Sequence, residues 1–145
     1  MRGVIEGKTA RMAGHEADVE QAPLVLLVDD EPGLLKLFSS LIDRLQCRQL
    51  AALSGDEAIE LLEQHTPDLL ILDLAMPVVS GIDVLRHVRR VPRLSAMKVI
   101  ILTARPNLVP EVEELGIDFW IAKPIMPHDF LAIVDEVLGD VRGER

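Results

Sequence analysis

Asp68-Leu-Leu-Ile-Leu-Asp73-Leu-Ala-Met-Pro77-Val-Val-Ser-Gly81 is the stretch that decides how this chain folds. Its apolar run, Leu69 to Leu72, stops on a carboxylate, passes through a Met-Pro turn and restarts at Gly81. A run so short, bounded by turn signals and lacking polar alternation, is expected to be a strand buried on both faces. Open α/β sheets bind their ligands outside the carboxyl ends of their strands. Asp73 is therefore the first candidate for a functional residue.

The same pattern repeats in both directions. Leu24 to Val28 is a continuous apolar run that ends at Asp29-Asp30-Glu31-Pro32. Beyond it Leu34, Leu35, Leu37, Phe38, Leu41, Ile42 and Leu45 recur at helical spacing. Pro32 suits the first turn of that helix, where its missing N–H costs nothing. A weaker strand is expected around Cys47 to Leu53, near a sheet edge because its flanks are polar. Ser54-Gly-Asp-Glu57 has the pattern of a capping box, opening a helix that ends before Pro67. After Gly81 a further helix turns Ile82, Val84, Leu85 and Val88 inward and Arg86, Arg89 and Arg90 outward. Val99 to Leu102 is a fourth strand run, ending in Thr103-Ala104. Pro106 and Pro110 break the next connection, so a helix starts at Pro110 and stops by Gly116 after about two turns. Phe119 to Ala122 is the last strand and ends at Lys123-Pro124; a final helix runs from about Pro127 to Leu138.

Strand and helix thus alternate five times. That alternation predicts an α/β fold, a flavodoxin-like doubly wound five-stranded parallel sheet of order 2-1-3-4-5 with five helices, the fourth short or irregular. Residues 23–139 form this domain. Residues 1–22 are expected to be a flexible N-terminal extension, and residues 140–145 a C-terminal tail.

The chain has 145 residues, about one domain, and its 49% hydrophobic content is enough for a core. No apolar run approaches the roughly 20 residues that span a bilayer, so no membrane insertion is expected. The first 22 residues lack a secretory apolar segment, which with the single cysteine, Cys47, fits a cytoplasmic protein. Cys47 itself reads as a small packed hydrophobe. The net charge of −9 repels phosphate, so direct nucleic-acid binding is not expected; the acidity serves solubility, cation binding or a basic partner.

The predicted strand order brings the ends of strands one and three side by side at the switch point. Asp29, Asp30 and Asp73 would then crowd one crevice, where like charges disfavour joint ionisation. A hard divalent cation is the economical reason to keep them, and Mg²⁺ takes oxygen ligands. Thr103 and Lys123 end strands four and five and flank the same crevice. Acids, metal, hydroxyl and ammonium together suit a phosphoryl group. Taken singly, each has a plainer account. Asp30 and Glu31 favour a helix N-terminus, Asp73 forms a turn, Thr103 ends a strand and Lys123 is a solvated charge. Their coincidence at four of five strand ends is what points to a site.

Leu26-Leu-Val-Asp29-Asp30-Glu31-Pro32, Ile71-Leu-Asp73-Leu-Ala-Met-Pro77, Ile101-Leu-Thr103-Ala104 and Ala122-Lys123-Pro124 resemble, in order and spacing, the receiver domains of two-component response regulators. The resemblance implies a phosphoprotein of signal transduction, not an enzyme on other substrates. It makes Asp73 the phosphoacceptor, and Asp29, Asp30, Asp73 and the carbonyl of Ala75 the ligands of Mg²⁺ (or Mn²⁺). Thr103 becomes the switch hydroxyl and Lys123 the cation on the phosphoryl oxygen. The partner implied upstream is a sensor histidine kinase or a histidine phosphotransfer protein, with a protein target downstream and a homodimer as one option. A cis peptide before Pro124 also belongs to the resemblance.

Three departures from the family pattern stand out. Trp120, the only Trp, occupies the aromatic switch position usually held by Tyr or Phe. The two prolines shorten the fourth helix. Ala75 and Arg105, each two positions beyond a key residue, should border the path of hydrolytic water and tune dephosphorylation. The acid cluster carries its own expectation: crowding raises the pKa of at least one carboxylate, so Asp30→Asn should stabilise the metal-free protein. Two rival chemistries fit less well. An aspartyl phosphohydrolase would need a second Asp where Ala75 stands, and a nucleotide or flavin binder would need a phosphate-cradling loop where Asp29-Asp30-Glu31 stands.

Overall fold

Residues 21–143 are described by the computed structural model, so most of the extension expected over residues 1–22 lies outside the described residues. Among them the chain runs β1 (Leu24–Val28), α1 (Pro32–Ile42), β2 (Arg48–Ala52), α2 (Gly55–Gln64), β3 (Leu69–Asp73), α3 (Gly81–Arg89), β4 (Lys98–Thr103), α4 (Val109–Leu115), β5 (Phe119–Ala122) and α5 (Pro127–Gly143). Single 3-10 turns at Asp43–Leu45, Pro92–Leu94 and Pro106–Leu108 join some of them. The sheet has the order β2-β1-β3-β4-β5, and every pairing is parallel. This is the flavodoxin-like topology expected from the alternation of elements.

Side-chain alternation along the strands divides the core in two. Leu26, Val28, Leu70, Leu72, Val99 and Ile101 face one way, onto α2, α3 and Val112 of α4. Val25, Leu27, Leu69, Ile71, Ile100 and Leu102 face the other way, onto α1 and α5. Both faces are dry, which explains why β1 and β3 are apolar without a break. Phe38 of α1 stacks on Phe130 of α5 with ring centroids 4.6 Å apart, tying the second layer together.

Local chemistry sets the helix ends. Pro32 occupies the first turn of α1. Ser54 caps α2: its Oγ accepts from Glu57 N–H at 3.1 Å, and the Glu57 carboxylate reaches back to Leu53 N–H at 2.8 Å. Ser80 and Asp83 form a full capping box at α3, which the Ser54 cap is not, because Glu57 reaches Leu53 N–H rather than that of Ser54. α4 spans only seven residues, between a 3-10 turn begun by Pro106 and Gly116, whose φ of +95° ends it.

The structure corrects three details. Leu37, placed in the apolar stripe of α1, is 42% exposed because the stripe is narrower than its leucines; Leu35, Phe38 and Ile42 carry the burial. Arg89 does not point freely outward; its Nη2 donates to Gly116 O at 2.7 Å. The last helix passes Leu138 and reaches Gly143, because Val141 is buried and Arg142 donates to the carbonyl of Leu45. Gly139 lies within this helix without stopping it.

Candidate functional site at the carboxyl edge of the sheet

The register places the strand ends level. Val28 pairs with Leu72, Asp73 with Leu102 and Thr103 with Ala122, so the residues just beyond meet at one edge. Asp29 is buried, and its backbone N–H still donates to Ala52 O at 3.2 Å. One of its carboxylate oxygens accepts from Glu31 N–H at 2.9 Å; the other lies 3.1 Å from Lys123 Nζ. That ammonium also lies 3.4 Å from Asp73 Oδ1. Asp30 is exposed, yet one carboxylate oxygen from each of Asp29, Asp30 and Asp73 lies within 4.8 Å of the other two. All are hard oxygen donors, a set that fits a divalent cation such as Mg²⁺.

Thr103 is fully buried, and its Oγ1 accepts from Arg105 N–H at 2.8 Å. Lys123 N–H donates to Thr103 O at 2.8 Å, which fixes the base of the lysine beside that hydroxyl. The Lys123–Pro124 peptide is cis, as the resemblance implied. Ala75 is exposed, and its N–H points to Asp73 Oδ1 at 3.4 Å. The Arg105 side chain is exposed, and Trp120 is 40% exposed on β5. An apolar cavity of about 420 Å³, lined by Leu34, Phe38, Ala104, Pro124 and Ile125, opens beside the Lys123 stem.

Burial pushes the Asp73 carboxyl up to about 6, against the Lys123 ammonium, which pulls it down, and with the Asp29 charge, which raises it further. Burial would lower Lys123, but Asp73 and Asp29 hold it above the ordinary lysine value. The raised carboxylate was foreseen, but its leading cause was not: burial outweighs crowding. The neighbouring charges that act on it belong to Lys123 and Asp29. Asp30→Asn is therefore not the informative substitution; Asp73→Asn is.

Two supporting features were missed in the sequence. A Cβ on Gly81 would lie 2.2 Å from Asp73 O and 2.7 Å from Leu74 Cα, so only glycine lets α3 begin directly against the Asp73 peptide. The Ser80-Asp83 box fixes that same helix start. Its signal, Ser-x-x-Asp before an apolar run, was present in the sequence.

A doubly wound sheet with acids, lysine and hydroxyl gathered at its switch point defines the class of two-component signalling modules. The chain belongs to the response regulator receiver domain family, whose sequence model matches residues 25–135. It is 32% identical over 118 residues to the polar-differentiation response regulator DivK of Brucella ovis, covering 80% of this chain and 96% of that one. It is also 32% identical over 131 residues to the transcriptional regulatory protein BaeR of Escherichia coli, covering 87% of this chain and 52% of that one. The chain thus spans about half the length of some curated relatives and nearly all of others. Among solved structures it superposes on the chemotaxis response regulator CheY4 of Vibrio cholerae with a TM-score of 0.75 at 25% identity, covering 81% of this chain and 99% of that one. A signal receiver domain from Vibrio parahaemolyticus gives 0.76 at 29% identity, covering 85% and 95%. No helix among the described residues is long and apolar enough to cross a membrane.

Proposed function

We propose that Asp73 accepts a phosphoryl group from the phosphohistidine of a sensor histidine kinase or histidine phosphotransfer protein, or from a small acyl phosphate. The observation that carries this reading is Lys123 Nζ, 3.1 Å from Asp29 and 3.4 Å from Asp73 at the mouth of a three-carboxylate cluster. A carboxylate oxygen of Asp73 forms the new bond to phosphorus while the donor's bond breaks: from phosphohistidine the P–N bond, the departing imidazole nitrogen taking up a proton, and from an acyl phosphate the P–O bond, the carboxylate leaving with the electron pair. Asp29, Asp30, Asp73 and the carbonyl of Ala75 would hold Mg²⁺ or Mn²⁺, which would supply charge neutralisation for the phosphoryl oxygens. Lys123 exchanges its contact with Asp73 for one with a phosphoryl oxygen. Thr103 Oγ1 accepts from Arg105 N–H, which leaves its own proton to donate to the same group.

At neutral pH Asp73 is mostly ionised, as a nucleophile must be, because its pKa of about 6 lies below that range. The only chemistry assigned to the domain is its own phosphorylation and dephosphorylation. Ala75 and Arg105 border the approach of water to the acyl phosphate, and Trp120 changes exposure as the loop holding Thr103 responds. The setting is cytoplasmic, and the output passes by protein contact rather than by direct binding of nucleic acid.

The test is a phosphotransfer screen with phosphorylated histidine kinases and with acetyl phosphate, in the presence of Mg²⁺. One alkali-labile phosphoryl group per chain is expected, absent from Asp73→Asn, with a change in Trp120 emission on phosphorylation. Label that persists in Asp73→Asn would assign the acceptor elsewhere. Unchanged emission on a phosphorylated chain would remove Trp120 from the switch.

A further inference from the structure

The apolar cavity of about 420 Å³ beside the Lys123 stem is joined to the carboxylate crevice through the chain itself. Ala104 directly follows Thr103, and Pro124 directly follows Lys123. The hydroxyl and the ammonium that flank the crevice are thus each one residue away from the cavity lining. Leu34 and Phe38, one turn apart on α1, supply more of it, together with Ile125. Apart from the Lys123 ammonium, every side chain in this lining is a hydrocarbon. Phe38 is buried and stacked on Phe130, so this part of the cavity is preformed and cannot close without disturbing the core.

Position and chemistry together restrict what the cavity can take. In an in-line transfer to Asp73, the leaving group departs on the side of phosphorus away from the attacking oxygen. A histidine donor would bring imidazole nitrogens to a lining whose side chains offer no acceptor. The alkyl chain of an acyl phosphate brings no polar group and gains by leaving water.

We propose that the cavity holds the alkyl chain of an aliphatic acyl phosphate longer than acetyl phosphate, such as butyryl or hexanoyl phosphate. The proposal rests on the reading of Asp73 as phosphoacceptor and adds to it a chain-length preference for the small-molecule donor. Asp73 forms its bond to phosphorus, and the carboxylate leaves with the P–O electron pair, as it would from acetyl phosphate. The chain is bound equally before and during transfer. A longer chain therefore lowers the half-saturating donor concentration and leaves the maximal rate unchanged.

The test follows phosphorylation of Asp73 with acetyl, butyryl and hexanoyl phosphate at saturating Mg²⁺. Each methylene buried should lower the half-saturating concentration about fourfold, so butyryl phosphate should half-saturate roughly fifteenfold below acetyl phosphate. Hexylphosphonate, whose P–C bond cannot transfer, should inhibit labelling by acetyl phosphate at lower concentration than methylphosphonate does. Ile125→Asn and, from α1, Leu34→Asn each place an amide in the cavity and should bring the butyryl and acetyl values close together. Leu53→Asn, at an exposed leucine between β2 and α2, should keep the wild-type ratio. Labelling by acetyl phosphate with no gain from longer chains would overturn the proposal and leave the acceptor reading standing. So would a gain that both cavity variants keep, or one that Leu53→Asn also abolishes. Failure of every donor to label Asp73 would overturn the acceptor reading and this proposal with it.

Discussion

Asp73 stands between an ammonium that favours its charge and a carboxylate that opposes it, and burial at 3% exposure tips the sum upward to about 6. An aspartate ordinarily ionises at 3.8, so between pH 4 and 6 the unfolded chain has lost this proton while the folded chain keeps it. Where the folded state binds more protons, stability falls as pH rises. The metal-free protein should therefore lose stability across that window and stay lower above it. Asp73→Asn resembles the protonated form at every pH. In chelator it should match wild type near pH 4 and exceed it by about 2 kcal/mol at pH 8, read from urea midpoints. Equal midpoints at pH 8 would mean that Lys123 fully offsets the burial. Gly81 makes a second residue-scale prediction. Alanine there meets backbone atoms of Asp73 and Leu74, which cannot swing aside. Gly81→Ala should cost about 1–3 kcal/mol and slow phosphorylation by acetyl phosphate more than Mg²⁺-independent unfolding explains. Wild-type stability with wild-type phosphorylation would show that α3 can shift without cost. The identities of Asp29, Asp73, Thr103 and Lys123 were legible because each closes an apolar run. The balance of burial against crowding was not, since it depends on side-chain exposure that run length does not encode.

At the scale of elements the strands were the most readable part, because strands buried on both faces leave unbroken apolar runs. Helix limits were less so. α5 continues through Gly139 to Gly143, since Val141 finds core that the sequence does not announce. Leu37 is exposed because a stripe of leucines wider than the buried face of α1 looks uniform until the face is defined. Val78, with φ of +67° and 95% exposed, gave no warning at all: a β-branched residue is a poor sequence signal for a left-handed turn. The start of α3 is the element boundary that bears most on the site. Ser80 Oγ accepts from Asp83 N–H at 3.2 Å, and Asp83 Oδ2 accepts from Ser80 N–H at 3.0 Å. These bonds hold the Asp83 carboxyl below its usual range. Ser80→Ala should cost about 1 kcal/mol, visible as a lower urea midpoint, with faster hydrogen exchange confined to the first turn of α3. Uniformly faster exchange would mean that the box does not act locally.

Across the whole molecule, one sheet carries every strand end and separates the two core layers, so a ligand at the carboxyl edge would stabilise the entire fold. Topology at this scale was legible: alternation and right-handed crossovers leave few alternatives, and the order 2-1-3-4-5 follows. The uneven spread of charge is legible too, since residues 106–141 hold eight acids and one Lys of a chain whose net charge is −9. Asp29, Asp30 and Asp73 belong to the same acidic excess, and a cation held there would be bound by the folded chain alone. Wild type should gain about 2.7 kcal/mol at a Mg²⁺ concentration a hundredfold above its dissociation constant, as a higher urea midpoint. Asp73→Asn starts from a more stable metal-free state but should gain much less, so the two stability curves cross as Mg²⁺ is added at pH 8. NaCl at matched ionic strength should not reproduce the crossing, since screening acts on exposed charges and not on a site buried at Asp29 and Asp73. Parallel rises in the two proteins would place the cation away from Asp73. A rise reproduced by NaCl would reduce the effect to screening of the acidic surface.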